Sequence, residues 1–283
     1  MSLSLNGTLK HKMRPLAHVG VFGGGRMGIG IAHALGSIAA RVTIVEVPKS
    51  VDQARDRLAA TLARSADQAA PAAFDVVTEP DVLHDAELVI EAVPEDAALK
   101  GDVLRRIDRI SAEAVLASNT SSMSIDALSQ AVTDPARFLG LHFFNPVPAS
   151  SLVEIVVGRA TSPEVVSQAQ RWVAALEKTS IVVRDSPGFA SSRLGVVIAL
   201  EAMRMVDEGV ASIEDIDTAM TLGYRHPLGP LRTTDLVGLD VRLAIARELE
   251  RELGSRFAAP ELLIDKVARG ELGRKTGQGF YRW

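Results

Sequence analysis

A strand, a glycine turn, a helix and a second strand closed by an acid follow one another between His18 and Glu46. That succession limits the fold more than any other feature of the chain. His18–Phe22 is a short apolar run ending in Gly23-Gly24-Gly25-Arg26-Met27-Gly28. Ile29, Ile31, Ala32 and Leu35 then recur at helical spacing, and Val42-Thr43-Ile44-Val45 reads as a β-branched strand before Glu46. Gly23, Gly25 and Gly28 form Gly-x-Gly-x-x-Gly in the strand–turn–helix context that gives this motif meaning. The first glycine allows the tight turn, the second lets backbone approach a pyrophosphate, and the third lets the helix pack on the strand. The helix start offers unpaired N–H groups to the phosphates. Gly23, Gly24, Gly25, Arg26, Met27 and Gly28 are therefore the expected phosphate-binding residues of a dinucleotide site. Glu46 is the expected acceptor for the adenosine ribose 2′-hydroxyl. A carboxylate there repels a 2′-phosphate, so NAD is favoured over NADP.

The alternation continues. Helices are predicted over Ser50–Ala69, Ala97–Ile110, Ile125–Ala131 and Glu164–Leu176, and strands over Phe74–Val77, Glu87–Val93, Ala114–Ala117, Leu139–Phe144, Leu152–Val157 and Ser180–Arg184. Strands alternating with helices imply a largely parallel, doubly wound α/β sheet of Rossmann type, with ligands at the carboxyl ends of the strands. Three polar groups fall at that edge: Pro94-Glu95-Asp96, Ser118-Asn119-Thr120-Ser121-Ser122 and His142. From Ser186-Pro187-Gly188 the pattern becomes helical, with helices expected over Phe189–Asp207, Ile213–Leu222, Val237–Leu253 and Glu261–Arg269. The expected organisation is a loose, mildly basic arm over 1–15, a dinucleotide-binding domain over 16–186 and an all-helical C-terminal domain over 187–283. The first long helix carries apolar residues on several faces, including Leu194, Val197, Ile198 and Val206, which predicts burial within its domain or against a second subunit. A homodimer through this domain is expected.

Leu139–Phe144 holds one histidine in a buried strand, Asn145-Pro146 breaks that strand, and the next strand carries one carboxylate, Glu154. A hairpin-like return puts Glu154 beside His142. An imidazole whose tautomer is fixed by an anion is what a general base near neutral pH requires. A core histidine satisfied by a backbone carbonyl fits this stretch alone equally well.

The 283 residues have a net charge of −4, which gives no electrostatic case for nucleic acid or an anionic membrane. Cysteine is absent, so disulfides, a thiolate nucleophile and a cysteine metal site are excluded, and no metal is expected. No run reaches the roughly 18 apolar residues of a membrane span. The N-terminal stretch lacks the apolar centre of a signal peptide. A cytoplasmic protein is expected.

Beyond these features the chain resembles the 3-hydroxyacyl-CoA dehydrogenase family along nearly its whole length after the arm. The matching stretches are Gly23–Gly28, Val89–Glu95, Ala117–Ser122, Gly140–Pro146, Leu152–Glu154, Asp185–Phe189, Pro227–Leu231, Asp235–Asp240 and Leu272–Tyr281. The resemblance implies NAD-dependent interconversion of a 3-hydroxyacyl thioester and its 3-oxoacyl thioester. It implies that His142 is the general base, that Glu154 orients it, and that Ser118 hydrogen-bonds the reacting oxygen. Glu95, Lys100, Asn145 and Lys275 match positions that contact NAD, and Asn145 also borders the substrate. Without the resemblance, Glu95 and Lys100 read as solvated charges at a helix start, and Lys275 as a surface lysine. Ser192 stands where the family usually has an asparagine that helps hold the substrate oxygen. Arg64 is the sole basic residue between Leu58 and Phe74, where the family usually has a lysine-bearing helical hairpin for CoA phosphates, and Ser151 replaces a common lysine. These departures bring an acyl carrier protein forward as an alternative carrier to CoA. A dehydrogenase of a free 3-hydroxy acid, like the related carnitine and gulonate enzymes, is the second alternative. A non-catalytic NAD-binding or structural protein is the third.

Overall fold

The structure is a computed structural model and describes residues 15–64 and 72–283. The arm expected over 1–15 lies outside the described residues apart from Pro15. So do the end of the helix expected to reach Ala69 and the short link that follows it. Two compact units emerge: one runs to Thr120 and resumes over Ile125–Arg184, and the other comprises Ser121–Ser124 and Asp185–Trp283.

The first unit is a single sheet of strands β1 (Leu16–Phe22), β2 (Ala39–Val45), β3 (Ala73–Val77), β4 (Leu88–Glu91), β5 (Val115–Ser118), β6 (Phe138–Phe143), β7 (Leu152–Val157) and β8 (Thr179–Arg184). Their order is β3-β2-β1-β4-β5-β6-β7-β8. Every neighbouring pair is parallel except β6 and β7. The connecting helices are α1 (Arg26–Leu35), α2 (Val51–Arg64), α3 (Ala97–Ile110), α4 (Ile125–Leu128) and α5 (Pro163–Ala175). Val19, Val21, Val42, Ile44, Leu88 and Ile90 are buried in one apolar core with Ile31, Leu35 and Ala54 of the helices. Central strands buried on both faces explain these continuous apolar runs.

The second unit is built of α6 (Ser191–Asp207), α7 (Ile213–Thr218), α8 (Pro230–Val237), α9 (Leu239–Leu253) and α10 (Glu261–Ala268). Its core gathers Val196, Leu200 and Met203 of α6 with Leu231, Leu239, Leu243, Leu249, Leu263 and Phe280. The helix expected over Val237–Leu253 starts at Leu239, and a separate helix, α8, ends at Val237. Gly238 separates them with φ +107°, a conformation that side-chain-bearing residues rarely adopt. In α6 Val196, Ala199, Leu200, Ala202 and Met203 are buried, whereas Leu194 is 60% exposed. Its apolar surface exceeds what its own unit covers. Among the described residues no helix is long and apolar enough to cross a membrane.

Candidate active site

One transverse line of the sheet organises the first unit's polar groups. Phe22 pairs with Glu91, Glu91 with Ser118, and Ser118 with Gly140. The glycine turn begins one residue beyond this line on β1, and His142 stands two residues beyond it on β6.

Gly23 has φ +112°, and a Cβ on it would lie 2.7 Å from the Ala92 carbonyl oxygen. A Cβ on Gly28 would lie 1.8 Å from the Gly23 carbonyl oxygen. These two glycines let the turn close and α1 start against β1. Gly25 is different: a Cβ there meets nothing within 4 Å, so the backbone is bare on that side. Gly25 is also the N-cap of α1 and supplies no side-chain cap. The first intrahelical bond runs from Ile29 N–H to Gly25 O, which leaves the N–H groups of Arg26, Met27 and Gly28 ahead of it. An uncapped helix start beside bare backbone suits a pyrophosphate. Arg26 is exposed and Met27 half-buried at this opening. Glu46 follows β2, and its carboxylate accepts from Gly24 N–H at 2.8 Å and Val47 N–H at 2.7 Å. It is thus anchored to the turn it was expected to serve, and the glycine turn and the acid suit a dinucleotide together.

The β6–β7 reversal places His142 directly opposite Glu154. Side chains of facing residues share one face of the sheet. The His142 Nδ1 and Glu154 Oε2 atoms are 2.7 Å apart, and both residues are buried. Phe144 covers the imidazole, ring centroids 4.5 Å apart. The partner of the ring's Nδ1 is the Glu154 carboxylate.

Ser118 Oγ donates to Glu91 Oε2 at 2.6 Å. Glu91 Oε1 accepts from Lys100 Nζ at 2.8 Å and from Val93 N–H at 2.7 Å. Lys100 Nζ also donates to Val93 O at 3.1 Å and lies 3.1 Å from Glu95 Oε2. Thr120 Oγ1 donates to Glu95 Oε1 at 2.9 Å. Lys100 is only 1% exposed, which corrects its reading as a solvated charge. Glu91 had been given no role. An acid within the apolar run Val89–Val93 was the available signal, because a buried carboxylate demands partners.

Two further positioning residues were missed. Asn119 Oδ1 accepts from Phe143 N–H at 2.9 Å, tying the end of β5 to the end of β6. Lys178 Nζ donates to Val147 O at 2.8 Å and to Ser150 O, bracing the loop after Asn145. Burial lowers the Lys178 pKa. Asn145 itself is exposed just past β6.

The remaining expected residues belong to the helical unit. Ser192 Oγ donates to the Ser121 carbonyl oxygen at 3.3 Å near the start of α6. Lys275 Nζ sits 2.6 Å from both Asp240 carboxylate oxygens.

A dinucleotide-type turn and a carboxylate-paired imidazole at one sheet edge define a class, the dinucleotide-dependent oxidoreductases. Comparison with known proteins narrows it. Residues 18–186 match the family described as "3-hydroxyacyl-CoA dehydrogenase, NAD binding domain", and residues 188–283 match its C-terminal domain. A 3-hydroxybutyryl-CoA dehydrogenase of Mycobacterium tuberculosis is 38% identical over 282 residues, covering 95% of this chain and 99% of that one. The human mitochondrial hydroxyacyl-coenzyme A dehydrogenase is 36% identical over 286 residues, covering 94% and 91%. The crystal structure of (S)-3-hydroxybutyryl-CoA dehydrogenase from Ralstonia eutropha superposes with a TM-score of 0.87 at 36% identity, covering 95% and 99%. The chain belongs to the 3-hydroxyacyl-CoA dehydrogenase family. It is an oxidoreductase, and its cofactor is NAD.

Proposed function

We propose that the protein interconverts a 3-hydroxyacyl thioester and its 3-oxoacyl thioester, with His142 and Glu154 moving the proton. The 2.7 Å contact between His142 Nδ1 and Glu154 Oε2 carries this reading. NAD, held by the Gly23–Gly28 turn and Glu46, supplies the two-electron acceptor or donor when bound. Glu95, Lys100, Asn145 and Lys275 are assigned to the cofactor's surroundings, Lys100 through its grip on Glu95.

His142 donates from Nδ1 to Glu154, which leaves Nε2 as the nitrogen that takes the proton of the substrate hydroxyl. Glu154 stabilises the imidazolium that results. Ser118 serves the reacting oxygen by swinging its hydroxyl away from Glu91. Glu91 keeps its contacts to Lys100 and Val93 when the hydroxyl leaves, so the swing does not strand a buried charge. Ser192 takes the place of a substrate-holding side chain at the start of α6.

CoA is the carrier named for the relatives. An acyl carrier protein is the alternative, favoured by the scarcity of basic residues between Leu58 and Phe74. The deciding assay presents one short 3-oxo compound as CoA ester, carrier-protein ester and free acid, and follows NADH oxidation. Thioester turnover is expected, with the faster ester naming the carrier. Failure with every thioester would overturn the reading, and turnover confined to the free acid would move the enzyme to the hydroxy-acid branch.

The exposed Leu194 and Ile198 of α6 also support a homodimer through the helical unit. Light scattering at micromolar concentration should give twice the 30.2 kDa of the chain. A monomer there would remove the dimer. The cytoplasm, where NAD is available, is the compartment assigned.

A further inference from the structure

Glu91 ends β4 and is fully buried, and the rung beside it on β5 is Ser118, buried as well. Ser118 Oγ donates to Glu91 Oε2 at 2.6 Å. A serine hydroxyl has one hydrogen to give. Given to a buried carboxylate, that hydrogen does not reach a substrate oxygen. Hydrogen bonds to a charged group are among the stronger ones, so drawing the hydroxyl away is unfavourable unless the carboxylate's hold is loosened.

The contacts around Glu91 close on themselves. Glu91 Oε1 accepts from Lys100 Nζ at 2.8 Å, and Lys100 Nζ lies 3.1 Å from Glu95 Oε2. Glu95 Oε1 accepts from Thr120 Oγ1 at 2.9 Å. Thr120 N–H donates back to Ser118 Oγ at 3.3 Å. Ser118, Glu91, Lys100, Glu95 and Thr120 thus form a ring that lies wholly within the first unit. One ammonium is shared by two carboxylates. Lys100 and Thr120 are buried, whereas the Glu95 side chain is 39% exposed, so the ring opens to solvent at Glu95. What Glu95 meets at the surface decides how the ammonium is divided between the two acids. Hydrogen bonds linked in this way inside a protein polarise one another.

We propose that Glu91 is a positioning residue that withholds the Ser118 hydroxyl until Glu95 engages the cofactor. When Glu95 turns outward to a hydroxyl donor there, Lys100 is left to Glu91 alone. The undivided cation lessens the pull of Glu91 Oε2 on the serine proton. The hydroxyl then turns to the reacting oxygen, while Glu91 retains Lys100 and Val93 N–H. With Glu95 unengaged the ring stays shut, and Ser118 has only lone pairs to offer, which repel a 3-oxo oxygen. The inference rests on the dehydrogenase reading above and adds an order to it: an occupied cofactor site prepares the serine for the substrate. By linkage the substrate tightens the cofactor by the same factor.

The test pairs NAD⁺ with an acetoacetyl thioester, on CoA or on a carrier protein as the assay above selects. This pair lacks a hydride donor, so affinities are read without turnover. Titration calorimetry on the full chain measures thioester binding with and without saturating NAD⁺. In wild type NAD⁺ should tighten it by about 5–150-fold, the usual range for coupled sites. Glu95→Gln ends the sharing of Lys100 and, at an exposed position, should leave the fold intact. Glu91→Gln removes the anion that holds the serine. Both variants should bind the thioester more tightly than wild type when NAD⁺ is absent, with the coupling lost. Adding Ser118→Ala to Glu95→Gln should cancel that gain. A merely structural role predicts the opposite, weaker binding in each variant with the coupling kept. Coupling unchanged in Glu95→Gln, no coupling in wild type, or a gain that survives Ser118→Ala would overturn the ring. If wild type neither binds nor turns over any 3-oxo thioester, the dehydrogenase reading itself fails, a result distinct from binding without coupling.

Discussion

Replacement of His142 by alanine is expected to lower turnover by roughly 10²–10⁴-fold, the range for loss of a general base. NADH affinity, measured by fluorescence titration, should stay nearly unchanged, because the glycine turn and Glu46 lie on other strands. The variant leaves Glu154 buried without its ring, so a modest loss of stability is expected as well. His142→Gln, which fills the space and offers a donor, should recover stability but not rate. That split separates proton transfer from support of the strand pair. Turnover within about tenfold of wild type for the glutamine variant would place the base elsewhere.

The second large effect concerns a residue outside the proton-transfer pair. Lys100→Met should destabilise the protein by about 3–5 kcal/mol, the range for removing one partner of a buried ion pair. Glu91 is 0% exposed and would keep Val93 N–H and Ser118 Oγ but lose its cation. With the whole protein stable by about 5–15 kcal/mol on general grounds, the loss should be plain in urea unfolding. Lys100→Met combined with Glu91→Leu should recover much of the stability, because removing both partners avoids the stranded charge. The double variant nevertheless gives Ser118 no acceptor at Glu91, so activity should not return with the fold. A single variant as stable as wild type would show that the pair is not the anchor described.

What could be read in advance depended on how local the physics was. The glycine turn was legible because sterics act between neighbours: Gly28 against Gly23 is a contact five residues apart. The meeting of His142 and Glu154 was legible because a short return between two strands leaves few registers. The burial of Lys100 was not. It follows from β4 lying between β1 and β5 in mid-sheet, and from Glu91 pointing beneath the start of α3, neither of which the residues around Lys100 encode. The helix at Pro230–Val237 was missed although Pro230 at its start is a recognised signal. Thr233 and Thr234 weakened its apolar periodicity, and the stop at Gly238 was read as continuation.

The single antiparallel neighbour in an otherwise parallel sheet has a lasting consequence. Because β7 runs against β6, the acid and the imidazole face each other as rungs of one ladder rather than meeting through loops. Sliding either strand by one residue would turn its side chains to the opposite face, so the alignment lasts as long as the ladder does. Chemistry written into a ladder is shielded from drift in the connections around it. An imidazole and a carboxylate held as one rung keep their spacing whatever the surrounding helices and loops carry.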